Sequence, residues 1–179
     1  MGSISTRQPY HSAYSQAFLC AVNFVFSKEG GYYRNAKDLG GKTHFGISSK
    51  AYPKEDILNL TQERAQFLYH RDYWRATYCR EWPAPVALLV FDGAVQHGQI
   101  TAIRLLQECV GIKADGLVGP VTRHAVFNAN PLWLSARYCL RRARLYNRIQ
   151  IKKPSQVTFI EGWFNRLRDG LDTAFKVAI

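Results

Sequence analysis

A chain of 179 residues is long enough for one compact unit, or two small lobes sharing a core, and too short for two large independent domains. A hydrophobic share of 47% with 13% aromatics excludes an intrinsically disordered chain, in spite of 21% charged residues. With 24 Lys and Arg against 13 Asp and Glu the formal net charge is +11, a field that draws anionic partners such as nucleic acid, anionic lipid or anionic cell wall.

Met1 to Tyr14 is polar and lacks the apolar core of a secretory signal, and no later stretch approaches the ~18 apolar residues of a membrane span. The expectation is synthesis in the cytoplasm without a signal peptide. From Ser15 to Lys28 the apolar residues Phe18, Leu19, Val22, Val25 and Phe26 recur at helical spacing, and Gly30-Gly31 stops the helix. Glu29 therefore falls at a helix C-terminus. Tyr32 to Ser48, with Gly40, Gly41 and Gly46 among short polar runs, reads as a loop with a small β-hairpin.

Beyond Pro53 the pattern is helical nearly throughout. A turn over Pro53 to Leu58 leads into helices from Thr61 to about Arg75, Pro85 to about Gln96, Gln99 to Val110 and Pro120 to Phe127. Asn130-Pro131 is an N-cap followed by Pro at the first helical position, and it opens a long helix to about Gln150. Pro154 and Ser155 precede a last helix bearing Phe159, Trp163, Leu167, Leu171 and Phe175. The best boundary is Gly98, dividing the chain into 1–98 and 99–179. Cys20, Cys79, Cys109 and Cys139 form no C-x-x-C pair and read as four free thiols of a protein folded in a reducing compartment.

The segment from Glu29 to Ile47 holds the chemistry. Glycoside hydrolysis needs a protonated carboxyl beside the scissile oxygen, and inverting enzymes need a second group to hold or activate water on the opposite face. Glu29 and Asp38 supply two carboxyls. A Glu at a helix C-terminus meets the negative end of the helix dipole, which suits a proton donor. The glycines allow a sharp turn and close approach of a sugar chain to the backbone. The same residues are also compatible with an ordinary helix stop and hairpin, Asp38 then making a turn.

The run EGGYYRNAKDLGGKTHFGIS, continued by Arg71-Asp72-Tyr73-Trp74 and Phe91-Asp92-Gly93-Ala94-Val95, resembles glycoside hydrolase family 108, which includes N4-type phage endolysins and secretion-linked muramidases. The resemblance implies a lysozyme-like α+β fold, mostly α, with a small β-hairpin lobe and a helical C-terminal half. It implies a muramidase that cleaves the β-1,4 bond between N-acetylmuramic acid and N-acetylglucosamine, with Glu29 as catalytic acid. Glu29, Asp38 and Thr43 are also spaced like the Glu, Asp and Thr of T4-type lysozymes, which makes Asp38 and Thr43 candidates for positioning water, by inversion. Tyr32, Asp92, Gln96 and His97 are the candidate substrate contacts; Asp92 is either exposed in a cleft or buried and paired. Further on, Leu106-Gln107 and Asp115-Gly116-Leu117-Val118-Gly119-Pro120-Val121-Thr122 resemble peptidoglycan-binding modules, although two helices joined by a capped turn explain the same residues.

Other chemistries fit less well. Gly40-Gly41-Lys42-Thr43 lacks the first glycine of a phosphate loop, since position 36 is Ala36. His11, His44, His70, His97 and His124 are scattered, so no metal is expected, nor any other cofactor. Arg137, Arg141, Arg142, Arg144 and Arg148 cluster on one helix, either as a solvated face or as a contact for anionic wall. Two rival readings stay open: a non-catalytic peptidoglycan-binding protein, and a nucleic-acid binder using those arginines with Trp133 and Tyr138. The leading expectation is a monomer that works on peptidoglycan, does not bind nucleic acid, and reaches the wall through a holin-type pore or dedicated export.

Overall fold

A computed structural model describes residues 14–29, 33–34 and 42–178. Its elements in chain order are α1 (Gln16–Glu29), strands β1 (Tyr33–Arg34), β2 (Lys42–His44) and β3 (Ile47–Ser48), then α2 (Gln62–Tyr69), α3 (Ala84–His97), α4 (Gln99–Cys109), α5 (Pro120–Phe127), α6 (Pro131–Lys152) and α7 (Ile160–Lys176). This is a mostly helical, lysozyme-like α+β fold with one small antiparallel sheet.

Helix α3 is the axis of the molecule. Apart from Asp92 it is apolar all round as far as Ala94, and its residues from Pro85 to Ala94 are all buried, which a surface helix could not sustain. It packs against α1, α4, α6 and α7. At Gly93 the approach is so close that a Cβ would stand 2.5 Å from the Tyr138 hydroxyl of α6. Helix α3 ends and α4 begins at Gly98, whose φ of +83° suits a residue without a Cβ.

Local chemistry sets the other helix starts. The backbone N–H of Arg64 donates to Thr61 Oγ1 ahead of α2, and those of Leu132 and Trp133 donate to Asn130 Oδ1 ahead of α6. The single helix expected from Thr61 to Arg75 is instead α2 followed by a π-helical turn over His70–Trp74. That wider turn buries Trp74 in the core and leaves Asp72 and Tyr73 beside a groove.

The sheet has the order β1-β2-β3, with Thr43 opposite both Tyr33 and Ser48, and His44 opposite Ile47. Phe45 and Gly46, both with positive φ (51° and 76°), form the two-residue turn between β2 and β3. Phe45 is held in that conformation by Phe26, whose ring centroid lies 5.4 Å away, and by the Tyr69 hydroxyl, which donates to its carbonyl at 2.9 Å.

Candidate active site

Glu29 is the last residue of α1, and its side chain, 25% exposed, opens into a cavity of about 220 Å³. Gly46 and Ile47 of the hairpin form one wall, Tyr69 and Tyr73 another, and Val95 and Gln96 of α3 a third. Arg166 of α7 closes the back: its Nη1 lies 2.8 Å from Glu29 Oε1. Ala51, Tyr52 and Tyr73 are shared with a larger groove of about 710 Å³ that runs on past Lys54, Arg64, Arg71 and Gln99. A carboxyl at one end of an extended, polar-edged cleft is suited to a chain-like substrate.

Behind the cavity lies an ionic relay. Asp92 is fully buried, its Oδ1 taking Arg166 Nε at 2.8 Å and Nη2 at 2.7 Å, while its Oδ2 lies 2.7 Å from Arg142 Nη1. Burial works against the charged form of Asp92, but the Arg142 and Arg166 guanidiniums outweigh it and hold the carboxyl below its usual range. Arg142 also donates to Gln96 Oε1, which accepts a second hydrogen bond from the Tyr146 hydroxyl at 2.9 Å. Burial first, then the Glu29 carboxylate, push the Tyr69 hydroxyl well above its ordinary value, so it remains a neutral donor beside the cavity.

The groove is finished in the same manner. Asp72 accepts Arg71 and, at 2.9 Å, the Tyr52 hydroxyl; these contacts hold its carboxyl below the usual range despite partial burial. Arg64 pairs with Glu55 at 2.6 Å on the opposite rim.

Of the residues expected from sequence, Glu29 and Gln96 meet in one cavity. Thr43 lies half-buried in β2 and is not among the described residues lining that cavity. Tyr32 and Asp38, with Gly30, Gly31, Gly40 and Gly41, lie outside the described residues. Two assignments need correction. Asp92 has no exposed surface and cannot touch substrate; it acts on the site through Arg166 and, by way of Arg142, through Gln96. His97 is not among the described residues lining the cavity and packs on Tyr146 at 5.4 Å between ring centroids. Arg142 likewise leaves the surface cluster in which its sequence neighbours place it, being fully buried.

Sequence reading missed Arg166, Tyr52, Tyr69 and Tyr73. Arg166 had a signal: it occupies the buried stripe of α7 marked by Trp163, Leu167 and Leu171, where an unpaired cation would be costly and a partner must exist. The turn pattern around Asp115 proves to be self-contained. Gln107, buried, donates to Asp115 Oδ1, the Leu117 carbonyl and Thr122 Oγ1, and accepts from the Gly116 N–H. Those polar groups are spent on holding the turn.

A helical bundle wrapped round one buried helix, with a carboxyl at the mouth of a cleft beside a small hairpin lobe, defines a lysozyme-like glycoside hydrolase. Comparison with known proteins agrees. Residues 22–98 match Glycosyl hydrolase 108 and residues 101–168 match a Predicted Peptidoglycan domain. Residues 22–98 thus carry a glycoside hydrolase 108 region and residues 101–168 a peptidoglycan-binding region, which together support a hydrolase of peptidoglycan. Among solved structures it is similar to SagA of Brucella abortus, with a TM-score of 0.77 and 29% identity over 90% of this chain and 95% of that one. No curated protein sequence matches it. No helix among the described residues is long and apolar enough to cross a membrane, and none of their His, Cys, Asp and Glu side chains gather as a metal site.

Proposed function

We propose that the protein is an N-acetylmuramidase, hydrolysing the β-1,4 bond between N-acetylmuramic acid and N-acetylglucosamine with Glu29 as general acid. The observation that carries this reading is the placement of Glu29 in the inner cavity that adjoins the long groove through Ala51, Tyr52 and Tyr73, with Arg166 against one of its oxygens. When Glu29 gives its proton to the leaving oxygen, a negative charge is left on the carboxyl, and Arg166 is already positioned to meet it. Asp92 and Arg142 fix the guanidinium, so little reorganisation accompanies that step.

Asp38 and Thr43 are the proposed holders of the attacking water, with inversion at the anomeric carbon. Lys54, Arg64 and Arg71 along the groove would receive the anionic parts of the wall polymer. Release through a holin-type pore or dedicated export is the proposed route to the wall, in lysis or in wall remodelling for secretion. The test is digestion of purified wall, with the new reducing end identified by mass spectrometry. Muramic acid at that end is expected; glucosamine there, or only freed peptide, would reject the reading. In the same assay Glu29→Gln keeps the fold and abolishes the products, whereas a non-catalytic wall-binding protein would show no products in either form. Asp38→Asn and Thr43→Ala lower turnover more than wall binding.

A further inference from the structure

Helix α6 has two faces. Leu134, Tyr138, Arg142 and Tyr146 are buried against neighbouring helices. On the outside a second run recurs at three- and four-residue spacing: Arg137, Arg141, Arg144, Arg148 and Lys152, over roughly 22 Å of helix. The 22 residues of α6 contain no Asp or Glu. Arg141 lies 3.5 Å from Glu108 of α4, and Arg137 lies over the Trp133 ring at 4.8 Å. Arg144, Arg148 and Lys152 have no acidic partner within ion-pair distance among the described residues.

Large apolar side chains stand in the same stripe. Trp133, Leu140 and Ile151 are 49%, 65% and 71% exposed. Leu140 shares a surface depression with Arg137, Arg141 and Arg144. Beside it, Arg104 of α4 joins Arg148 and Lys152 around a groove of about 260 Å³ that also has Leu105, Leu145 and Ile149 in its walls.

The cations alone would suit any polyanion. The aliphatic side chains decide between partners. A hydrated polysaccharide and a nucleic-acid backbone offer Leu140 and Ile151 no apolar environment, and one face of the Trp133 ring is already taken by Arg137. A helix face that mixes arginines with exposed Trp, Leu and Ile matches the boundary between headgroups and acyl chains: guanidiniums at phosphate level, aliphatic tips below it. We infer that the outer face of α6 docks on an anionic phospholipid surface, through Arg144, Arg148 and Lys152 with Leu140 and Ile151. Docking of this kind holds the enzyme at the membrane beside its wall substrate, and it does not depend on which glycosidic bond is cut.

The test is flotation of the full chain with vesicles of phosphatidylglycerol and phosphatidylcholine, against vesicles of phosphatidylcholine alone. The wild type floats with the anionic vesicles and stays behind with the neutral ones. Arg144→Glu with Arg148→Glu lowers the bound fraction at least ten-fold, and Leu140→Ser with Ile151→Ser abolishes the binding that survives raised salt. Both double variants melt as the wild type does and digest purified wall at its rate; Arg144→Gln with Arg148→Gln replaces the charge reversal should that variant melt early. Failure of the wild type to float overturns the inference, as does full binding by the Leu140/Ile151 variant. Loss of affinity for purified wall or for DNA, with vesicle flotation unchanged, assigns the face to those partners instead. Wall digestion, read separately, tests the catalytic proposal on its own.

Discussion

Gly46 lies directly against the side chain of Glu29: a Cβ at that position would stand 2.7 Å from Glu29 Cγ and 2.6 Å from the Tyr69 hydroxyl. The hairpin turn is thus a surface on which the acid rests. Gly46→Ala has two costs, a left-handed backbone with φ +76° and a contact that neither Glu29 nor Tyr69 can yield without moving. We expect a stability loss of about 1–3 kcal/mol and a fall in wall-clearing rate of more than ten-fold. Thermal melting and turbidity loss measure the two effects, and wild-type clearing by the variant would show that the hairpin does not set the position of Glu29.

Arg166 touches Glu29 and Asp92 with different nitrogens of one guanidinium, a geometry that a lysine cannot reproduce. Arg166→Lys keeps a positive charge near Asp92, which Arg142 continues to pair, so the chain is expected to fold. Its turnover should drop at least ten-fold with little change in KM, because the lost contact matters most as charge develops on Glu29. A rise in KM at unchanged turnover would make Arg166 a substrate-binding residue instead.

The helices were legible because local signals specify them. The sequence pattern places α5 at Pro120–Phe127, where it is found, and α6 begins after the Asn130 cap as expected. Glu29 was legible because it ends a helix and begins a recognisable run. The ionic relay was not, since Asp92, Arg142 and Arg166 come from three helices and their pairing is a property of packing. What sequence does offer is a rule for finding them: each is a charge at a position where the helix period calls for an apolar residue. Applied to α6, the rule separates buried Arg142 from exposed Arg144, which are only two residues apart but on different faces.

A division at Gly98 marks the turn between α3 and α4, yet we expect residues 1–98 alone not to fold. The faces of α3 that meet α4, α6 and α7 would be exposed, Lys28 would lose Asp169 at 2.6 Å, and Glu29 would lose Arg166. Circular dichroism of that fragment should show no cooperative melt and its activity should be nil. A cooperative transition would instead make the first half an independent catalytic domain.

His97 gives the fold a pH dependence. Burial, helped by the Arg142 guanidinium and opposed by Asp92, lowers its pKa from 6.5 to about 4, and its Nε2 is buried without a hydrogen-bond partner among the described residues. Between those two values the unfolded chain binds a proton that the folded chain refuses. Stability therefore rises with pH through this window, is fully present above about 6.5, and is lost as the pH falls toward 4. The loss from this one side chain is about 2–3 kcal/mol by pH 4.5. Asp92, whose carboxyl is held low by its two arginines, adds a further loss in the same direction only at still lower pH. Urea denaturation at pH 7 and pH 4.5 measures the effect, with His97→Gln as the comparison. The variant should start less stable or equal at pH 7 and lose distinctly less on acidification, because glutamine of similar size has no proton to gain. An equal loss in both proteins would mean that the acid sensitivity arises at other groups and that His97 titrates in the fold as it does in the open chain.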